Sequence, residues 1–109
     1  MFFPGSPIKL EEEIVLVTGG ANGIGRAICH ELAERGKNLT IIIWDVNEKA
    51  SVETVLELKS LGLRNAFAFN VDVSNRQQVA DIAAEIRETI GDVSILFNNA
   101  GISGNLIEG

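Results

Sequence analysis

No tyrosine occurs in these 109 residues, cysteine, methionine and tryptophan occur once each, and proline only twice. Each scarcity excludes something. Without a tyrosine no phenol can act as acid or base. A lone Cys29 rules out an internal disulfide and a cysteine-rich zinc site, and it fits a reducing compartment. Its thiol reads as a small apolar group on the buried side of a helix. Lys and Arg form no cluster, and the net charge is −6, so a phosphate-tracking nucleic-acid surface lacks its electrostatic basis. The start Met1-Phe2-Phe3-Pro4-Gly5 has no basic region followed by a long apolar core, so neither a signal peptide nor a membrane span is expected. The chain reads as soluble and cytoplasmic. No His, Cys, Asp or Glu grouping has metal-ligand spacing, so no metal is expected.

What is present is globular: 46% hydrophobic and 22% charged residues with 11 glycines. One domain is expected, able to bury roughly 60 to 70% of its unfolded surface. Helical patterns close on Gly36, Gly62 and Gly91, where a left-handed residue would end a helix. Each is followed by an apolar run: Leu39 to Trp44, Ala66 to Val71, and Val93 to Phe97. Nearly continuous apolar runs mark strands covered on both faces, hence a parallel sheet. A fourth such run is Ile14-Val15-Leu16-Val17.

Helices are expected between the runs. The first, Gly23 to Arg35, would bury Ala27, Ile28 and Leu32; the second, Glu48 to Leu61, would bury Val52, Val55, Leu58 and Leu61. The third carries Val79, Ile82, Ala83, Ile86 and Ile90 at helical spacing, with Ser74 and Gln77 as a capping-box pair. The order β-α-β-α-β-α-β with right-handed crossovers predicts a Rossmann-type α/β fold: a parallel sheet with helices on both faces, incomplete against the six-strand doubly wound form. Residues 1–12, including part of the acidic run Glu11-Glu12-Glu13, read as a polar lead-in. Residues 13–109 form a partial dinucleotide-binding domain, in which Gly101 to Gly109 is too short to add an element.

Thr18-Gly19-Gly20-Ala21-Asn22-Gly23-Ile24-Gly25 follows the first strand and opens the first helix, where free backbone N–H groups and the helix dipole favour phosphate. A side chain at Gly19, Gly23 or Gly25 would block the turn, the approach of phosphate, or helix packing. The spacing G-x-x-x-G-x-G differs from the commoner G-x-G-x-x-G, and by itself the loop could be a plain tight turn. Asp45 ends the second strand, 20 residues beyond Gly25, where a carboxylate accepts hydrogen bonds from a ribose and repels a 2′-phosphate. Alternatively it caps the next helix. With the glycine loop it favours NAD over NADP, and Asn22 agrees, since no Arg or Lys stands just before Gly23.

These residues resemble the short-chain dehydrogenases/reductases, whose loop has the form T-G-x-x-x-G-x-G. Asp72-Val73 after the third strand, Asn98-Asn99-Ala100-Gly101 after the fourth, and Trp44-Asp45 also match, so the likeness runs from about Ile14 to Ile102. The resemblance implies a cofactor site of Gly19, Ala21, Asn22, Gly23, Ile24, Gly25, Asp45, Asp72, Val73, Asn99, Ala100 and Gly101, with Asn98 helping to fix the strands. It implies hydride transfer between nicotinamide and an alcohol or carbonyl substrate. Ile43 to Asn47 and Gly91 to Leu96 look like the branch acting on retinoids, steroids and related lipophilic alcohols, for which the cytosolic face of an internal membrane is an alternative location.

The family's tyrosine, lysine and serine lie beyond the fourth strand, and no Y-x-x-x-K follows Ser94 or Ser103 here. No catalytic residue is therefore assigned, and His30, a turn past the loop, reads as a partly exposed helical histidine. The expected function is the NAD-binding portion of a longer dehydrogenase, inactive as these 109 residues, with a fourth strand left as an open apolar edge. Two other readings stand beside it: a non-catalytic NAD-binding or regulatory module, and a structural subunit that docks its fourth strand on a partner. Homo-oligomerisation is compatible with all three.

Overall fold

Short apolar runs alternate with amphipathic segments along the chain, and each run pairs with another in parallel. The computed structural model describes residues 12–100. Strand β1 (Ile14–Thr18) is followed by α1 (Gly23–Arg35), β2 (Thr40–Asp45), α2 (Glu48–Ser60), β3 (Asn65–Asn70), α3 (Arg76–Thr89) and β4 (Ile95–Asn98). All strands are parallel, in the order β3-β2-β1-β4, with Val17 opposite Ile43 on one side and Phe97 on the other. Of the expected lead-in, residues 1–11 lie outside the described residues, as does the segment from Gly101 to Gly109.

The two-residue period of a strand divides the core in two. Val15, Val17, Ile41, Ile43 and Ala66 meet Cys29, Leu32 and Ala33 of α1 and Leu58 of α2. Leu16, Ile42 and Trp44 meet Ile86 of α3, with Val79, Ile82, Ala83 and Ile90 packed alongside. Helices thus cover both faces, and Ile41, Ile42 and Ile43 of the central strand β2 are wholly buried. The unbroken apolar run from Ile41 to Trp44 within β2 follows from that double cover.

Several local expectations fail for identifiable reasons. Ala27 of α1 is exposed, whereas Leu32 is buried and Ile28 partly buried as expected, and Gly25, Cys29 and Ala33 complete the stripe. In α2, Val52 is exposed while Ala50, Ser51, Thr54 and Leu58 are buried, because small side chains let the helix approach the sheet and loop closely. Val55 and Leu61 are partly buried against the same cluster. The cap of α3 is Asn75, whose Oδ1 accepts from the Gln78 amide at 3.0 Å, while Ser74 turns back to Asp72. Gly62 and Gly91 have φ of 104° and 141°, but Gly36 is extended at −153°, so α1 ends without a left-handed residue.

Candidate functional site

Strand β1 sends its chain to α1 on one face, while α3 returns on the other face to deliver β4 beside it. The C-terminal ends of β1 and β4 therefore flank a crevice at the point where the strand order reverses. Into it runs the loop from Thr18 to Gly25. The Gly19 amide donates to the Trp44 carbonyl at 2.7 Å, and the Asn99 Nδ2 donates to the Gly19 carbonyl at 3.3 Å. Thr18 Oγ1 accepts from the Ala100 amide and donates to Asn98 Oδ1, each at 3.1 Å. The ends of β2 and β4 thus clamp the loop from both sides.

The glycines do different work. Gly19 has φ of 66°, and a Cβ there would lie 2.9 Å from Asn99 Nδ2 and 3.2 Å from the Ala100 amide nitrogen. A Cβ on Gly25 would lie 2.0 Å from the Gly19 carbonyl oxygen, so the loop closes directly over the first turn of α1. The expected packing role of Gly25 is thus against the loop's own backbone rather than a strand. Gly23 is left-handed at φ 55° with open space where a side chain would project.

Asn22 precedes α1 but its side chain makes no capping bond, and the first turn holds no acidic residue. By contrast Asn47 and Asn75 cap α2 and α3. Among the described residues the first turn of α1 thus has no side-chain cap at the positive end of its dipole, the arrangement that suits an anion. Ile24 beside them is 72% exposed.

Asp45 ends β2 and points at the same loop. Its Oδ2 accepts from the Ala21 amide at 3.1 Å and its Oδ1 from the Asn47 amide at 2.9 Å. The capping of α2 belongs to Asn47, whose Oδ1 accepts from the Ala50 amide at 3.0 Å. Gly19, Trp44, Asp45, Val46, Val71, Asp72, Val73 and Ala100 line one cleft of about 200 Å³. Asp72 accepts from the hydroxyl and amide of Ser74, and these bonds hold its carboxyl below the usual range.

Eleven of the twelve expected positions, Gly19, Ala21 to Gly25, Asp45, Asp72, Val73, Asn99 and Ala100, belong to this loop, bond to it or line its cleft, whereas Gly101 lies outside the described residues. Sequence reasoning did not place Val46 or Val71 in the cleft; an exposed valine directly after a strand-ending Asp45 was the available signal. It also missed Thr54, buried in α2 with its hydroxyl 3.4 Å from the Ala21 carbonyl oxygen.

Other reactive groups are engaged elsewhere. His30 Nε2 lies 2.8 Å from Glu57 Oε1, a carboxylate also gripped by Arg26, in a cluster joining α1 to α2. Burial pushes the Cys29 thiol up to about 12, so it stays protonated at neutral pH. Ser94 bonds to Ile14 at the opposite end of the sheet from the loop. Among the described residues no group of three or more His, Cys, Asp or Glu could hold a metal, and no helix is long and apolar enough to cross a membrane.

The family model described as short chain dehydrogenase matches residues 13–108. Estradiol 17-beta-dehydrogenase 11 of Mus musculus is 39% identical over 102 residues, covering 94% of this chain and 33% of the relative. Short-chain dehydrogenase/reductase 3 of Homo sapiens is 40% identical over the same length with the same coverage. NAD+-bound xylitol dehydrogenase superposes with a TM-score of 0.77 at 28% identity, covering 84% of this chain and 34% of that one. L-Sorbose reductase from Gluconobacter frateurii, complexed with NADPH and L-sorbose, gives 0.75 at 26% identity, covering 83% of this chain and 34% of that one. The chain thus spans about a third of the length of the relatives it matches. A glycine loop closed over an uncapped helix, an aspartate at the end of β2 and a match over nearly the whole sequence together place this chain in the short-chain dehydrogenase family.

Proposed function

We propose that this chain is the dinucleotide-binding part of a dehydrogenase acting on a lipophilic alcohol or its carbonyl, and that it takes NAD in preference to NADP. The carrying observation is Asp45, whose carboxylate lines the cleft beside the glycine loop. The cradle fits the group: a Cβ at Gly25 would collide with the Gly19 carbonyl and one at Gly19 would press on the Asn99 side-chain amide, and Asn22 makes no side-chain cap on α1 to compete with a phosphate. In this reading the amides of the loop and of Gly23, Ile24 and Gly25 hold the pyrophosphate. Asp45 accepts from the adenosine ribose and repels a 2′-phosphate, Asp72 and Val73 border the adenine, and Asn99, Ala100 and Gly101 approach the nicotinamide ribose. The bound nicotinamide supplies the hydride acceptor or donor. Because these 109 residues hold no tyrosine, the role proposed for this part is to bind the cofactor rather than to turn a substrate over.

The preference for a lipophilic alcohol rests on the likeness to estradiol 17-beta-dehydrogenase 11. Calorimetric titration of the chain with NAD and NADP tests the cofactor. NAD should bind tighter by about tenfold or more, the worth of roughly 1.4 kcal/mol, and Asp45→Asn should erase most of that difference. Equal affinities for the unaltered chain would overturn the assignment.

A further inference from the structure

The Asp45 carboxylate is in use before any ligand arrives. Oδ2 holds the Ala21 amide at 3.1 Å and Oδ1 holds the Asn47 amide at 2.9 Å, so one side chain ties the glycine loop to the start of α2. Ala21 sits midway between Gly19 and Gly23, its side chain is fully buried, and its carbonyl oxygen faces the buried hydroxyl of Thr54. No other protein acceptor for the Ala21 amide is seen among the described residues. We propose that Asp45 is a positioning residue for the phosphate-binding loop: its carboxylate fixes the Ala21 peptide, and through it the direction of the loop and first-turn amides, independently of any contact with a ribose.

Chemistry allows both roles at once. A carboxylate offers about four acceptor sites, of which two are taken, so each oxygen keeps a lone pair for a ribose hydroxyl. The two roles nevertheless give opposite signs for a simple anion. If Asp45 acts only through its charge and a ribose contact, removing it relieves repulsion and strengthens binding of a phosphate group. If it positions the loop, removal leaves the Ala21 amide unheld and weakens that binding. Asparagine separates them, because its Oδ1 can still accept from Ala21 while the charge is gone.

This inference rests on the dinucleotide reading only for the ligand measurement. The first measurement needs no ligand: amide exchange in the isotope-labelled free chain, comparing unaltered protein, Asp45→Ala and Asp45→Asn, with the Val17 and Ile43 amides as core references. The Ala21 amide should exchange about tenfold faster or more in Asp45→Ala, as loss of a hydrogen bond to a charged group implies, with the references unchanged. Asp45→Asn should restore much of the protection. An Ala21 amide that exchanges equally fast in all three proteins overturns the proposal, and so does an asparagine variant as unprotected as alanine. Should Asp45→Ala lose its core protection and fail to fold, Asp45→Leu, of similar size and without an acceptor, takes its place, and an Ala21 amide as protected there as in the unaltered protein overturns the proposal.

The second measurement is titration with inorganic pyrophosphate. Weaker binding in Asp45→Ala together with equal or stronger binding in Asp45→Asn supports the positioning role; stronger binding in both overturns it. If the unaltered chain binds neither pyrophosphate nor NAD, the dinucleotide reading fails, and the exchange result still decides what Asp45 does to the loop.

Discussion

At the scale of single residues, the loop depends on atoms that are not there. Gly25 has an ordinary helical place in α1, yet a Cβ would sit 2.0 Å from the Gly19 carbonyl oxygen, and neither partner is a flexible side-chain tip. Gly25→Ala should therefore open the loop, abolish binding of dinucleotide by calorimetry, and lower stability by about 1–3 kcal/mol in a denaturant titration, the usual cost of overpacking. An alanine variant that binds NAD normally would refute this account. Gly23 differs, since nothing lies within 4 Å of its added Cβ and only its φ of 55° resists substitution. Sequence spacing shows that glycines recur, and cannot show which of them is excluded by contact and which by conformation. The same holds for Asp45: its place at the end of a strand was legible, whereas its bond to Ala21 depends on a meeting 24 residues apart.

At the scale of elements, the joint between α1 and α2 carries the pH dependence. Arg26 of α1 grips both oxygens of Glu57 of α2, and His30 shares one of them. The Arg26 hydrogen bond, then that of His30, hold the Glu57 carboxyl below its ordinary 4.5. A carboxylate depressed in the folded state stabilises fully above its unfolded value, and that contribution is lost as pH falls through the lower folded value. The stability difference between the unaltered chain and Glu57→Gln should thus be constant at neutral pH and shrink below about 4.5, as read from denaturant midpoints at several pH values. A difference that grows on acidification would contradict this assignment. Because the pair is open to solvent, its worth is that of a surface contact rather than a core one. The helices were legible from their periodicity, and so was the part of the buried face of α2 that carries Val55, Leu58 and Leu61, but not its first turns. Apolar spacing favours Val52, whereas the close fit of α2 against sheet and loop selects Ala50, Ser51 and Thr54.

At the scale of the whole molecule, β4 pairs only with β1 among the described residues, and Leu96 and Val93 on and before it are 57% and 38% exposed. An open strand edge with uncovered apolar side chains recruits another strand or associates. This chain studied alone should self-associate with rising concentration in sedimentation or light scattering, and Leu96→Lys should shift it toward monomer without lowering its stability. A monodisperse monomer that binds no apolar dye would argue against that. Element type, element order and the parallel sheet follow from local pattern alone, because a doubly covered strand demands continuous apolar runs and each crossover needs an amphipathic helix. The family motifs are local as well, since each lies within one turn. Only the tertiary structure decides that Asp45, Ala21 and Thr54 meet, that Val46 and Val71 join the same cleft, and that Asn47 rather than Asp45 caps α2. Those relations depend on how three separate segments stack at one end of the sheet, and no spacing along the chain encodes a distance between segments packed through space.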